Sequence, residues 1–263
     1  MRAAAAMPLP LDLRLMNALT ALLLVVAAFM VMAALGWWAL QHPAFGLTRI
    51  TVLGDVAHNS AATLRANVAP RVTGNFFTTD LGQVRKAFKD VPWVREAVVR
   101  REFPNRLRVF VQEHRPVAFW GPDSDTALVN SYGEVFEANP GDVEVDGLPR
   151  LVGPQDQSAQ VLAMYRQIAP LFEGVDMGIS QLTLTARGSW QAETDTDAVI
   201  ELGRGNSEEI VARAQRFAQT ITQAASRYGR RTEAVLSADL RHGDGYAIKL
   251  RGVTTVSTEA QKK

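Results

Sequence analysis

The chain contains no cysteine among its 263 residues. This absence excludes a disulfide framework, thiolate catalysis and zinc sites built from cysteine, and it leaves the cellular compartment open. Histidine is also scarce, with four residues at positions 42, 58, 114 and 242. They are scattered, and no two have the spacing of a metal-binding pair on a helix. We therefore expect no metal site and no cofactor.

Net charge is nearly absent as well. The chain has 28 Lys and Arg against 27 Asp and Glu, so its formal charge at pH 7 is +1. A nucleic-acid surface needs a concentrated basic excess. We therefore expect no nucleic-acid partner.

Three patterns invite an enzymatic interpretation, and each has a commoner structural one. His114 lies at a strand end with no nucleophile signature beside it. Glu193, Asp195 and Asp197 alternate and so would share one face of a strand. Such a face is more commonly solvated than a calcium site, because calcium binds about 6–8 oxygens and these residues supply three carboxylates. Residues 203–207 precede a helix but lack the Lys-Ser/Thr of a phosphate loop, so we interpret them as a turn. We therefore predict no enzymatic activity and no small-molecule substrate.

Residues 15–40 contain no charged side chain, and within them Ala21 to Leu35 are all Ala, Leu, Val, Phe or Met. A helix needs roughly 20 apolar residues to cross a hydrocarbon core of about 30 Å. Trp37 and Trp38 follow, and indole rings favour the membrane interface. A cleaved signal peptide has a shorter apolar core that ends at small residues. The pattern therefore predicts a retained transmembrane helix over residues 15–40.

Residues 1–14 are too short to fold and are expected to form a cytoplasmic tail. Arg2, Arg14 and the amino terminus outweigh Asp12 on this side, and the positive-inside rule then places the tail in the cytoplasm. The remaining residues, 41–263, are enough for one large or two small domains.

The segment that follows the membrane helix predicts the order strand, helix, helix, strand, strand. The strands are expected at 47–53, 94–101 and 107–113, where apolar residues alternate or bound a turn. Asn59 and Ser60 are candidate caps of a helix over 61–68. A second helix is expected from Thr79 or Asp80 to Phe88, and Asp80 and Gln83 have capping-box spacing at its start.

The second half predicts further strands interrupted by two helices. The strands are expected at 127–129, 134–137, 181–186 and 198–202, and the helices at 158–172 and 207–226. A last hairpin is expected from 234–241 and 246–251, joined by residues 242–245, whose glycines permit positive φ. Its second strand has no later strand to cover it. The sequence therefore predicts an open sheet edge near the carboxyl terminus.

At this point the order of elements and several short motifs resemble a known family. The motifs are Gly54-Asp55, Asn75-Phe76-Phe77, Pro92-Trp93-Val94, residues 97–101, Pro104-Asn105, residues 113–118, residues 130–136, residues 148–151 and Asp239-Leu240-Arg241. The chain is identified by them as a member of the FtsQ/DivIB family of bacterial cell-division proteins, whose first periplasmic domain is a polypeptide-transport-associated (POTRA) domain. The resemblance covers essentially the whole chain.

The resemblance implies a fold and a domain order. We expect an α+β protein with a single amino-terminal transmembrane helix, a POTRA domain of β-α-α-β-β order at 45–116, and a mixed or antiparallel β-domain with two or more helices at 117–252. Residues 253–263 are polar and are expected to be a disordered tail.

The resemblance also implies a function and partners. The protein is expected to be a non-enzymatic division scaffold of the cell inner membrane that links cytoplasmic and periplasmic division components. Its expected partners at the septum are FtsB, FtsL and other membrane proteins of the division machinery. A carboxy-terminal edge strand would receive a segment of FtsB by strand addition. Carried over residue by residue, the candidates are Arg241, His242, Asp244, Gly245, Tyr246, Ala247, Ile248, Lys249 and Leu250.

This chain departs from the family pattern at the same edge. His242 stands where relatives often carry an aromatic residue, and Leu250 where a tryptophan occurs. Tyr246 is then the candidate aromatic anchor. Without the resemblance, a terminal hairpin whose Lys249 and Arg251 guard against aggregation would be the preferred interpretation.

Two other functions stay open at this stage. A POTRA protein of outer-membrane assembly or secretion would need a long run of amphipathic strands, each of about 10 residues, which the sequence lacks. An anchored periplasmic hydrolase would need a convergent acid, base or metal site.

Overall fold

The structure, a computed structural model, describes residues 11–40, 42–139, 141, 147–243 and 245–253. Helix α1 (Leu11–Leu40) begins four residues before the uncharged segment of residues 15–40. Asp12 lies in its first turn, where a carboxylate interacts favourably with the helix dipole. The 27 residues Asp12–Trp38 are long and apolar enough to cross a membrane.

The chain divides into two compact units, residues 1–112, which include α1, and residues 113–263. In the first unit, β1 (Arg49–Gly54), α2 (Ala61–Val68), α3 (Leu81–Lys89), β2 (Val94–Glu102) and β3 (Arg106–Glu113) follow one another. This is the predicted order. The three strands form one sheet in the order β1-β3-β2, and β1 runs parallel to β3.

Side-chain caps explain where the two helices of this unit begin. The Ser60 hydroxyl accepts a hydrogen bond from the Thr63 N–H, and the Asp80 carboxylate accepts from the N–H groups of Gly82 and Gln83. Asn59, the other predicted cap of α2, instead donates to the Pro92 carbonyl at 2.8 Å. The apolar sides of both helices pack on the sheet in a core of Val52, Leu64, Val68, Val84, Ala87, Phe88, Val94, Ala97, Leu107, Val109 and Val111.

The described residues of the second unit form nine strands and two long helices. The strands are β4 (Pro116–Trp120), β5 (Ala127–Asn130), β6 (Val135–Glu137), β7 (Arg150–Val152), β8 (Ile179–Leu184), β9 (Ser189–Thr194), β10 (Val199–Arg204), β11 (Val235–Asp239) and β12 (Ala247–Leu250). They form a single mixed sheet in the order β12-β11-β10-β9-β8-β7-β4-β5-β6. The α+β class and the mixed sheet predicted above are confirmed.

Helices α4 (Ser158–Glu173) and α5 (Ser207–Ser226) share one hydrophobic core with this sheet. Phe172 of α4 and Phe217 of α5 are both fully buried, with ring centroids 5.7 Å apart. The alternate side chains of the strands are polar, and Gln191 donates to Glu201 across the β9–β10 pair at 2.8 Å. The sheet therefore has one apolar face beneath the helices and one polar face.

One expectation about this sheet is wrong. Of the alternating Glu193, Asp195 and Asp197, only Glu193 lies in a strand, because β9 ends at Thr194. Asp197 has a φ of 62° and belongs to the turn into β10. The three carboxylates therefore do not share a strand face, and the described residues contain no group of three or more His, Asp or Glu side chains that could hold a metal ion.

Candidate protein-interaction edge

Strand β12 lies at one end of the nine-stranded sheet. It pairs antiparallel with β11, with Asp239 opposite Ala247, Ala238 opposite Ile248 and Ser237 opposite Lys249. Within the described residues no strand pairs with its other side. The open edge predicted near the carboxyl terminus is therefore present.

The direction of the backbone groups along β12 follows from one hydrogen bond beyond its end. The Arg251 N–H donates to the Ala234 carbonyl at 2.8 Å, so the backbone N–H of Arg251 points towards the β11 side. The N–H and C=O groups of successive residues point to opposite sides of a strand, so those of Lys249 and Ala247 also point towards β11. The N–H and C=O groups of Ile248 and Leu250 then point away from β11, along the open edge.

The side chains of β12 alternate as predicted. Ile248 is half-buried and Leu250 is 5% exposed, and both pack with the core beneath α5. Ala247 and Lys249 are exposed on the other face of the sheet. The Leu250 side chain is therefore not accessible to a partner, and Leu250 can contact an added strand only through its backbone.

Tyr246 occupies the position directly before β12. Its ring packs edge-to-face on Phe217, with centroids 5.1 Å apart, and its hydroxyl lies 2.8 Å from the Thr220 Oγ1. Both partners belong to α5. The candidate aromatic anchor is therefore half-buried against its own helix.

A groove of about 490 Å³ runs between α5 and the hairpin. Its wall on the helix includes Arg216, Gln223 and Arg227, and its wall on the hairpin includes Tyr246 and Ile248. Arg216 also donates to the Gly243 carbonyl at 2.8 Å, which joins the helix to the connection between β11 and β12. The open edge thus has an amphipathic groove beside it.

The connection between the two strands is longer than expected, because β11 ends at Asp239 and β12 begins at Ala247. Arg241 and His242 are therefore exposed loop residues and not strand residues. Gly243 does not adopt the positive φ that the turn prediction allowed for it. Asp244 lies outside the described residues.

The beginning of this connection is ordered by an ion pair. The Arg241 guanidinium donates to both oxygens of Asp239, at 2.8 Å from Nε and 2.6 Å from Nη2, and the Arg241 backbone N–H donates to the same carboxylate. These hydrogen bonds, led by the one from the Arg241 side chain, lower the pKa of Asp239 to about 2.

Arg241 also packs over Gly203 at the end of β10. Gly203 has a φ of 82°, and a Cβ at this position would lie 2.8 Å from the Arg241 Cγ. Residue 203 therefore needs to be glycine, both for its backbone conformation and for this close approach. The turn that follows leads into α5, where Asn206 and Glu209 form a reciprocal capping box. Residues 203–207 are thus the strand-to-helix turn that we predicted.

His114, the other candidate for chemistry, is half-buried in a hydrogen-bonded network around the buried Asn130. Its Nδ1 lies 2.9 Å from the Asn130 Nδ2, and its ring stacks on Phe136 with centroids 4.1 Å apart. Asn130 is fully buried, and its Oδ1 accepts from the N–H groups of Tyr132 and Glu134. These contacts give the His114 side chain a structural role.

Comparison with known proteins identifies both units of the chain. The family model described as "POTRA domain, FtsQ-type" matches residues 45–114, and the one described as "Cell division protein FtsQ/DivIB, C-terminal" matches residues 118–241. The confirmed resemblance thus extends over most of the chain outside α1. Residues 242–250 of the candidate edge lie beyond the second match.

Curated relatives match nearly the whole chain. The cell division protein FtsQ of Burkholderia pseudomallei is 39% identical over 94% of this chain and 95% of its own length. The FtsQ proteins of Thiomonas arsenitoxydans and Bordetella pertussis are each 36% identical, over 93% and 91% of this chain and 90% and 92% of their own lengths. The chain belongs to the FtsQ family of bacterial cell-division proteins.

Proposed function

We propose that the protein is a non-enzymatic scaffold of the cell-division machinery, anchored in the inner membrane by α1. The amino terminus lies in the cytoplasm and the two folded units lie in the periplasm, at the division septum. In this arrangement one chain links cytoplasmic and periplasmic division components. Family membership and a helix long enough to span a bilayer support this proposal.

The partner contact is strand addition at β12, by which FtsB, together with FtsL, is recruited. The observation that carries this part is the open edge, where the backbone groups of Ile248 and Leu250 point away from β11. An extended segment that pairs there gains main-chain hydrogen bonds, and its alternate side chains gain selectivity from the surface beside the edge. The groove lined by Tyr246, Ile248 and Arg216 offers such a surface.

Membrane tethering explains how modest contacts suffice. Two proteins that are anchored in one bilayer meet at a raised effective concentration, so a short edge strand of four residues need not supply the whole affinity. The scaffold function therefore needs no catalytic group.

The deciding experiment compares two variants of one residue. The full chain in detergent micelles is titrated with the periplasmic part of FtsB from the same cell, as wild type, Ile248→Pro and Ile248→Val. Proline removes the outward N–H and is expected to weaken binding at least about tenfold, while valine keeps the N–H and binds like wild type. Circular dichroism checks that both variants are folded.

The other outcomes separate the parts of the proposal. Equal binding by a folded Ile248→Pro variant would show that the partner uses another surface. No binding by wild type would refute the partner assignment and reopen the search for a hydrolase or an assembly factor.

A further inference from the structure

The first unit carries a partly exposed cluster of four phenylalanine rings. Phe45 contacts Phe77 with ring centroids 5.0 Å apart, and Phe76 contacts Phe77 at 5.1 Å and Phe103 at 5.9 Å. Phe77 is 44% exposed and Phe103 is 72% exposed. The proposed scaffold contact at β12 uses none of these residues, so the cluster needs an explanation of its own.

The cluster lies where the chain leaves α1. Phe45 ends a short 3-10 helix, Pro43–Phe45, only five residues after Leu40. Because a chain spans at most about 3.6 Å per residue, the two Cα atoms are within about 18 Å of each other. The cluster therefore stays close to the point at which α1 would leave a bilayer.

Backbone hydrogen bonds join all parts of the cluster to this exit point. The Phe76 N–H donates to the Phe45 carbonyl at 2.8 Å, which holds the loop of Phe76 and Phe77. The Thr48 N–H donates to the Asn105 carbonyl at 3.0 Å, which holds the turn that contains Phe103. The four rings therefore belong to the end of the sheet at which the chain arrives from α1.

The loop that carries Phe77 is held by Arg101 of β2 and by Asn75 of the loop itself. Arg101 donates from Nε to the Phe76 carbonyl and from Nη2 to the Thr79 carbonyl, both at 2.6 Å. The Asn75 side chain accepts from the Phe77 N–H at 2.9 Å. The loop is thus held in a shape that presents an apolar ring to the surroundings.

Basic side chains surround the same end. Arg49 and Arg106 start β1 and β3 and are register partners in the parallel pair, so two like charges lie side by side. Arg100 is exposed near the end of β2. No ion pair involves these three arginines within the described residues. Neighbouring like charges are unfavourable in a sheet unless an anion lies close by.

We propose that this aromatic end of the first unit rests in the headgroup layer of the bilayer that α1 crosses. The rings of Phe77 and Phe103 insert below the headgroups, and Arg49, Arg100 and Arg106 contact lipid phosphates. Phenylalanine rings on a peripheral apolar face bury themselves at the boundary between headgroups and acyl chains, and anionic lipids attract basic residues that lie within a Debye length of about 10 Å. The proposal rests on the membrane anchoring proposed above, and it adds a second, peripheral contact that fixes how the first unit stands on the membrane.

The absence of cysteine allows a direct test on the full chain. Single-cysteine variants Phe77→Cys, Phe103→Cys, Phe110→Cys and Phe29→Cys are labelled with nitrobenzoxadiazole and reconstituted in phosphatidylethanolamine–phosphatidylglycerol vesicles. Quenching by lipids with a nitroxide near the glycerol, or deep in the acyl chain, reports contact with lipid. Phe110 is an exposed residue of β3, four residues from Arg106 and hence about 13 Å further along the strand.

Labels at Phe77 and Phe103 are expected to be quenched by the shallow nitroxide at least about twofold more than the label at Phe110. Equal quenching at the three positions, with the Phe29 label quenched by the deep nitroxide, would refute the headgroup contact and leave the anchor intact. An unquenched Phe29 label would refute the anchor and the headgroup contact together.

The charge contribution is tested by the variant Arg49→Gln/Arg106→Gln, labelled at position 103. It is expected to lose at least about half of the quenching in anionic vesicles, with little change in neutral phosphatidylcholine vesicles. Urea unfolding of each labelled variant checks that the first unit is intact. Unchanged quenching in anionic vesicles would refute the phosphate contact.

Discussion

The carboxylate of Asp239 is held by the guanidinium of Arg241, two residues further along the chain, through hydrogen bonds of 2.8 and 2.6 Å. The pair closes the end of β11 and starts the connection that leads to the open edge strand. Since the pKa of Asp239 is lowered to about 2 from an ordinary value of 3.8, its carboxylate is ionised over the whole physiological range.

This pair predicts a pH dependence. A folded-state pKa below the unfolded value means that the pair stabilises the folded protein above about pH 4, and that this contribution is lost as the pH falls towards 2. Arg241→Met is expected to raise the pKa of Asp239 towards 3.8, as measured by NMR titration of the carboxyl carbon. Arg251→Met, an exposed arginine after β12, is the matched control and leaves this pKa unchanged. An unaltered titration of Asp239 in Arg241→Met would contradict the assigned cause.

Tyr246 makes two contacts with α5, and two substitutions distinguish their contributions to stability. Tyr246→Phe loses the bond to Thr220 and keeps the ring on Phe217, so we expect a loss of about 0.5–1.5 kcal/mol in the free energy of unfolding. Tyr246→Ala also removes the ring, and about 2–4 kcal/mol is expected, measured by urea unfolding. A smaller cost for alanine than for phenylalanine would show that the ring does not pack as described.

The same two variants bear on partner binding. If the tyrosine ring anchors the partner strand, Tyr246→Phe binds FtsB normally and the alanine variant binds at least about tenfold more weakly. Normal binding by a folded alanine variant would leave backbone pairing along β12 as the dominant contact.

Asn130 predicts a large effect at a site remote from the edge. Its side chain contacts His114 and Glu134 and accepts two backbone N–H groups, and Asn130 itself is fully buried. Asn130→Ala is expected to cost about 2–4 kcal/mol in the free energy of unfolding because these polar groups lose a partner. Ser131→Ala is the control, since Ser131 donates to the Arg115 carbonyl and accepts from Arg166 through its backbone. A similar cost for both variants would mean that the network is not the cause.

Topology can be tested on a chain with no native cysteine. Tyr132→Cys replaces an exposed residue of the second unit, and Ala3→Cys lies before α1. A membrane-impermeant maleimide is expected to label the first variant in intact spheroplasts and the second only after lysis. The reverse pattern would place the amino terminus outside the cytoplasm.

Local signals predicted the helices well and the short strands poorly. The capping residues Asn206 and Asp80 and the apolar stripes of α5 and α3 are properties of adjacent residues. They located the ends of α5 at the observed residues and those of α3 within two residues. Strands β4, β7 and β9 were absent from the predicted strands, because β4 begins at Pro116, β7 has three residues and β9 has only Trp190 and Ala192 as apolar residues. Such strands exist because their neighbours in the sheet supply hydrogen bonds.

The candidate site was likewise predictable only in part from local sequence. Alternation along 246–250 predicted which side chains face the core, and the position of β12 as the last strand predicted its exposed edge. The bond from Arg216 to the Gly243 carbonyl and the groove beside it depend on how α5 crosses from β10 to β11. No pattern of neighbouring residues encodes a contact between residues so far apart in the chain.

The two ends of the large sheet are unequal. β6 at one end has three residues, whereas β12 at the other has four, with two residues whose backbone groups point outward. A strand added at β12 would use up those groups, so the site holds one occupant at a time. Two copies of this protein that paired through β12 would therefore exclude the partner strand. Self-association at this edge and partner recruitment would compete for the same backbone groups.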